Sequence, residues 1–163
     1  MESTPSLPLI IAVDDENDDI FFLKQILKKT EFAHRFQPFA NGEAALVALT
    51  ALMGENNTPA FPLVCFLDLK MIGMSGFDLL SGIRSQKALD TLPVFMFSSS
   101  DRPQDVEQAR SLNAQGYLKK YPSAEAMRKV LEEAREFAAT DPAKKTFLQW
   151  SYRFIGTPTA LVA

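Results

Sequence analysis

Short apolar runs alternate with longer amphipathic stretches along most of this chain, and no other feature constrains the fold as strongly. The runs PLIIAV, LVCFLD and LPVFMFSSS are apolar at consecutive positions, as expected for strands that are covered on both faces. The stretches between them have helical periodicity, and DIFFLKQILKK places Ile20, Leu23 and Leu27 on one face of a helix. This alternation predicts an α/β fold in which five strand–helix pairs form a parallel sheet by about residue 139.

The chain divides into one predicted domain and a C-terminal extension. Residues 7–139 contain all five strand–helix pairs. Residues 140–163 are not needed for these pairs and are too aromatic for an idle solvated end, with Phe147, Trp150, Tyr152 and Phe154. We predict that this extension either packs back on the domain or contacts another subunit, and that it is too short to form a separate output domain.

The composition excludes several classes of partner. The formal net charge is −3, which disfavours a nucleic-acid surface. No apolar run approaches the ~18 residues of a membrane-spanning helix, and the N-terminal MESTPS lacks the basic patch of a signal peptide. The single cysteine, Cys65, cannot form an internal disulfide, which predicts a cytoplasmic protein, and its apolar neighbours predict a buried, inert thiol.

Charged and hydroxyl side chains stand where the predicted strands stop. They are Asp14 and Asp15 after the first strand, Asp68 after the third, Ser98 at the end of the fourth, and Lys119 or Lys120 at the end of the fifth. Ligands of open parallel sheets bind at this edge. Three clustered carboxylates repel one another, and Mg²⁺ is a cation that would offset the repulsion. A nearby lysine and hydroxyl would contact a phosphoryl group, so the pattern favours phosphoryl transfer to a carboxylate.

Further acids follow the first pair, namely Glu16, Asp18 and Asp19. Acids in the first turn of a helix complement its dipole. We predict only this role for Asp18 and Asp19, and a solvated position for Glu16.

Four segments together resemble the receiver domain of two-component response regulators, over about residues 7–139. The segments are VDDE, FLDLKMIGMSGFDLL, PVFMFSSSD and GYLKKYPS, in the order and at the spacing of that family. The resemblance implies a flavodoxin-like, doubly wound (βα)5 fold with a five-stranded parallel sheet in the order 2-1-3-4-5. It also implies a phosphoprotein that acts in phosphorelay signal transduction, with no enzymatic activity beyond its own phosphotransfer and autodephosphorylation.

The resemblance assigns roles to individual residues. Asp68 matches the phosphoacceptor, and Gly76 matches the glycine that ends the loop after it. The Mg²⁺ ligands are matched by Asp14, Asp15, Asp68 and the backbone carbonyl of Lys70. The groups that contact the phosphoryl group or switch with it are matched by Ser98, Lys120 and Tyr117.

Two positions depart from the family pattern. Ile72 stands where the family usually has proline, so we expect the loop after Asp68 to be less rigid. Tyr121 stands where the family usually has a proline in a cis peptide after the lysine. We therefore expect the turn Lys120–Tyr121–Pro122 to be trans, or to have its cis peptide bond between Tyr121 and Pro122. Either conformation could displace the Lys120 ammonium, so Lys119 is an alternative candidate for the lysine of the site.

The resemblance also suggests partners. The phosphodonor would be a sensor histidine kinase. Phytochrome kinases are one candidate class, because the long loop before strand three and the aromatic extension resemble those of the small regulators that pair with bacterial phytochrome kinases. The output would be a surface change that governs homodimerisation, partner binding or transfer to a histidine phosphotransfer protein. Two alternatives stay open: a receiver-shaped scaffold that does not switch, and an aspartyl-phosphate hydrolase, which Lys70 disfavours because a second acid is expected there.

Overall fold

A six-stranded parallel sheet with helices on both faces organises the protein. The structure is a computed structural model that describes residues 7–54, 63–138 and 153–155. The strands are β1 (Leu9–Val13), β2 (Arg35–Phe39), β3 (Val64–Leu67), β4 (Val94–Ser98), β5 (Gly116–Lys119) and β6 (Arg153–Ile155). The helices are α1 (Asn17–Lys29), α2 (Gly42–Gly54), α3 (Gly76–Arg84), α4 (Pro103–Ser111) and α5 (Ala124–Ala138), with a 3₁₀ turn at Lys87–Leu89.

The order of the strands is β2-β1-β3-β4-β5-β6. The predicted order 2-1-3-4-5 is confirmed for the first five strands. The structure adds a short sixth strand to these five: β6 pairs in parallel with β5, with Gly116 opposite Arg153 and Leu118 opposite Ile155. This part of the extension therefore packs on its own domain, while residues 139–152 and 156–163 lie outside the described residues. At the other end of the sheet, the partly exposed β2 contains Pro38, opposite Ala12 of β1.

The core lies in two layers, one on each face of the sheet. Alternate residues of β1 point to opposite faces, with Ile10 in one layer and Ile11 in the other. Helices α1 and α5 cover the first layer, and α2, α3 and α4 cover the second. Cys65 is completely buried in β3, and burial raises the pKa of its thiol to about 12, as expected for an inert cysteine.

Local sequence signals explain several helix starts. The side chain of Asn41 accepts a hydrogen bond from the amide of Ala44 and so caps α2. Ser75 and Asp78 form a capping box at the start of α3.

Among the described residues, we find no helix with the length and apolar character that crossing a bilayer requires.

Candidate functional site

The pairing of β1 with β3 brings the first and third strand ends together. Val13 stands opposite Leu67 in the sheet, and the amide of Asp68 donates a hydrogen bond to the carbonyl of Val13 at 2.9 Å. The amide of Asp14 donates to the carbonyl of Phe39, at the end of β2. The two acids therefore leave the sheet side by side at its carboxyl edge, as predicted.

Three carboxylates form a compact cluster at this edge. One oxygen each from Asp14, Asp15 and Asp68 lies within 4.8 Å of the others. Asp14 and Asp68 are buried and Asp15 is half-buried. A set of oxygen donors with this spacing fits a small, hard divalent cation such as Mg²⁺. Asp68 and Lys70 line a cleft with a volume of about 400 Å³.

The lysine that enters the cluster is Lys120. Its Nζ lies 2.9 Å from Asp14 Oδ2, 2.8 Å from Asp19 Oδ2 and 3.2 Å from Asp68 Oδ1. Lys119 instead pairs with Asp101, at 2.9 Å. Lys120, and not Lys119, is therefore the lysine that contacts the cluster. The expected conformation of the turn is wrong, because the cis peptide bond is the one between Lys120 and Tyr121.

Asp19 is a member of the site that the sequence analysis missed. Its Oδ2 accepts a hydrogen bond from Lys120, and its Oδ1 accepts one from the hydroxyl of Tyr121. The prediction that it serves only the helix dipole is therefore wrong, whereas Asp18 is exposed as expected. A signal was present in the sequence, because Asp19 precedes Leu23 and Leu27 at intervals of four residues and so belongs to the buried stripe of α1.

Burial and crowding perturb the carboxylates. Burial, together with the charge of Asp14, raises the pKa of Asp68 to about 6. Burial also raises the pKa of Asp14, although hydrogen bonds from Lys120 and the amide of Glu16 oppose the change. For Lys120, burial alone would lower the pKa, but hydrogen bonds to Asp19 and Asp14 outweigh it and the pKa is raised. The site therefore holds more negative charge than its lysine neutralises.

The loop after Asp68 is built around two backbone features. The amide of Ile72 donates a hydrogen bond to Asp15 Oδ2 at 2.9 Å, while the Ile72 side chain is 87% exposed. A proline at this position could not make that bond, because it has no N–H. At Gly76, an added Cβ would lie 2.0 Å from the carbonyl oxygen of Asp68, so only glycine fits this backbone.

Ser98 and Tyr117 are linked through one residue of the loop after β4. The buried hydroxyl of Ser98 accepts a hydrogen bond from the amide of Ser100 at 3.1 Å. The carbonyl of Ser100 in turn accepts a bond from the hydroxyl of Tyr117 at 2.9 Å. Tyr117 is completely buried, with its ring in the second core layer. Ser98 also lines the cleft that contains Asp68 and Lys120.

A five-helix, parallel α/β fold with strand order 2-1-3-4-5 is the CheY-type fold. The family model described as "Response regulator receiver domain" matches residues 10–132. The chain therefore belongs to the response regulator receiver domain family, a class of phosphoacceptor signalling domains of two-component systems. Members of this family take phosphoryl groups from histidine kinases and bind Mg²⁺ at an acidic pocket.

Several individual response regulators are similar to this chain in sequence or structure. The response regulator Rcp1 of Synechocystis sp. is 26% identical over 136 residues, which are 83% of this chain and 91% of Rcp1. The structure of the bacteriophytochrome response regulator AtBRR is 27% identical with a TM-score of 0.67, covering 85% of this chain and 99% of AtBRR. The Mn²⁺-bound form of Rcp1 has a TM-score of 0.61 at 25% identity, covering 80% of this chain and 93% of the other.

Proposed function

We propose that this protein is a response regulator in which Asp68 accepts a phosphoryl group from a sensor histidine kinase in a Mg²⁺-dependent reaction. One observation carries the proposal: the oxygens of Asp14, Asp15 and Asp68 cluster within 4.8 Å, and the Lys120 ammonium lies 3.2 Å from Asp68. A reactive carboxylate, a cation site and a fixed positive charge thus share one cleft. These are the parts that phosphoryl transfer requires, because its catalysis depends on positioning and charge stabilisation.

The chemistry assigns a task to each side chain. Asp14, Asp15, Asp68 and the Lys70 carbonyl would hold Mg²⁺, which supplies positive charge against the carboxylates and the phosphoryl oxygens. An oxygen of Asp68 attacks the phosphorus of a phosphohistidine, and the new O–P bond forms as the P–N bond breaks. The electron pair of that bond leaves with the imidazole of the kinase. The Lys120 ammonium and the Ser98 hydroxyl donate to the phosphoryl oxygens as their charge develops.

The signal would leave the site through Ser98. A phosphoryl group adds a charge of about −1.5 to −2 and offers several acceptor oxygens to this hydroxyl. Movement of Ser98 removes the partner of the Ser100 amide, and Ser100 also holds the hydroxyl of Tyr117. Ser98 lines the cleft with Asp68, and the described bonds connect Ser98 through Ser100 to the buried ring of Tyr117 on β5. Charge at Asp68 would bias this connection towards a second arrangement.

The relatives support a kinase of the phytochrome type as the donor, since a bacteriophytochrome response regulator is among the similar structures. A cytoplasmic location fits the lone, buried Cys65. The output would be homodimerisation, binding of a partner, or transfer to a histidine phosphotransfer protein. The position of Lys120 inside the acidic cluster favours a working phosphoacceptor over a scaffold that does not switch.

The test is chemical labelling with a small phosphodonor. We expect acetyl phosphate and Mg²⁺ to label the wild-type protein with one phosphoryl group, and excess chelator to prevent this. Asp68→Asn should remain unlabelled, because an amide oxygen is a poor nucleophile, while the exposed Asp18→Asn should label like the wild type. Equal labelling of wild type and Asp68→Asn would overturn the assignment of the phosphoacceptor. If labelling changes neither oligomeric state nor partner affinity, the non-switching scaffold is the better reading.

A further inference from the structure

The Asp19 carboxylate bridges two side chains that follow β5. Its Oδ2 lies 2.8 Å from Lys120 Nζ, the shortest of the three carboxylate contacts of that lysine. Its Oδ1 accepts a hydrogen bond from the hydroxyl of Tyr121. Both oxygens are thus engaged, so the carboxylate is held in one orientation towards the ammonium. Asp19 is more exposed than the other two acids, with 22% of its side chain accessible against 4% for Asp14 and 9% for Asp68.

Tyr121 is itself fixed by ring packing. Its ring lies edge-on to Phe22, with centroids 5.3 Å apart, and to Phe97, with centroids 6.0 Å apart. Phe22 follows Asp19 on α1 by one helical turn, and Phe97 precedes Ser98 on β4. The hydroxyl that orients Asp19 is therefore placed by ring contacts from α1 and β4 together.

An ammonium group has three N–H donors and no more. In this structure the donors of Lys120 face three carboxylates, those of Asp14, Asp19 and Asp68. A phosphoryl group attached to Asp68 can gain a bond from Lys120 only if one of these contacts is given up. Asp19 lies outside the cluster of three carboxylates that can share a cation, so its contact opposes movement of the ammonium towards Asp68.

We propose that Asp19, oriented by the Tyr121 hydroxyl, is a positioning residue that holds the Lys120 ammonium in the unphosphorylated protein and thereby weakens the hold of the site on a phosphoryl group. The inference rests on the proposed function of Asp68. A purely structural tie between α1 and the turn after β5 predicts the opposite result, because its loss would loosen the site and weaken binding.

The experiment measures the affinity for beryllofluoride, which mimics a phosphoryl group on a carboxylate. Titrations use the full chain at saturating Mg²⁺, with saturation verified for each variant. Asp19→Asn should bind beryllofluoride about five- to tenfold more tightly than wild type, as expected for loss of one charge-assisted bond in the unbound state. Tyr121→Phe, which keeps the ring and the net charge, should show a smaller gain of about two- to threefold.

Asp18→Asn is the matched control, because it removes the same charge from the same helical turn without a contact to Lys120. Its affinity should stay within about twofold of wild type, as expected for an exposed, screened charge. An equal gain in Asp18→Asn would overturn the positioning role in favour of net charge. If the wild type binds but Asp19→Asn and Tyr121→Phe bind equally or more weakly, the inference fails while the proposed function stands. If the wild type does not bind, both fail.

Discussion

A partly buried cationic side chain lies at each end of the sheet, and the two side chains differ in the charge of the groups that accept their hydrogen bonds. At the amino end, Arg84 donates to neutral acceptors: the carbonyls of Asn113 and Leu89 and the side-chain oxygen of Gln115, at 2.8–3.2 Å. At the carboxyl end, Lys120 faces three carboxylates within 3.2 Å. Burial lowers the pKa of Arg84 to about 10, whereas the carboxylates raise that of Lys120.

The difference distinguishes a contact that stabilises the fold, at Arg84, from the candidate functional site, at Lys120. The Arg84 fork ties α3 to the start of β4 and β5, because Gln115 Oε1 also accepts a bond from the amide of Val94. These three hydrogen bonds go to neutral acceptors, so they hold Arg84 in place without gathering carboxylates around it. The Lys120 end gathers more acids than one ammonium can satisfy. The crowded carboxylates at that end therefore destabilise the folded protein, and a bound cation would offset this cost.

The largest expected effect tests the amino end. Arg84→Ala removes three hydrogen bonds from a charged donor and leaves their acceptors partly buried, so the free energy of unfolding should fall by about 2–4 kcal/mol. Urea unfolding monitored by circular dichroism measures this change. The Mg²⁺ affinity of the folded variant should match that of wild type. A loss of metal binding at full folding would show that the two ends are coupled.

The next effect concerns Mg²⁺ itself. At 100 times its dissociation constant, Mg²⁺ should raise the free energy of unfolding of wild type by about 2.7 kcal/mol, because it binds only the folded cluster. Arg84→Ala should gain the same amount. Asp15→Asn removes a charged ligand and should gain much less, as measured by urea unfolding with and without the metal. A full gain in Asp15→Asn would place the cation elsewhere.

A smaller effect follows from the pKa of Asp68, about 6 in the folded protein against 3.8 for an unperturbed carboxyl. Between these values the unfolded chain loses its proton first, so stability falls as pH rises from 3.8 to 6, and the full penalty remains above pH 6. Without metal at pH 7.5, Asp68→Asn should therefore be more stable than wild type by about 1–3 kcal/mol. The gain should vanish below about pH 3, where the carboxyl is largely protonated in both the folded and the unfolded state. If the stability gain of Asp68→Asn does not depend on pH, its cause is a change in packing and not the ionisation of Asp68.

The smallest effect tests the Ile72 amide. Ile72→Pro removes the donor that holds Asp15 Oδ2, which should cost about 1 kcal/mol of Mg²⁺ binding, or roughly fivefold in affinity. Ile72→Ala keeps the N–H and loses only an exposed side chain, so it should bind like wild type in calorimetric titration. An equal loss in both variants would point to the side chain instead of the amide.

The sequence predicted the site correctly where a pattern allowed only one spatial arrangement. Apolar runs that end in acids placed Asp14 and Asp68 at a shared edge, because parallel neighbours must align their carboxyl ends. The sequence could not decide whether Lys119 or Lys120 contacts the carboxylates. Both residues stand at the end of β5, and the conformation of the following turn determines which side chain points towards the cluster. Asp19 was missed because its partner Tyr121 is 102 residues away in the chain. Strand β6 was missed because three residues are too few for a periodic pattern.

The added strand has a consequence for how the protein behaves when crowded. A sheet margin with unpaired amides and carbonyls is a template on which another chain can assemble, and such templates seed aggregation. Here β6 covers the margin of β5 and is itself only three residues long. The opposite margin, β2, carries Pro38, whose nitrogen cannot donate. Both margins of the described sheet are thus poor templates for a further strand, so we expect little edge-to-edge association of these sheets at high protein concentration.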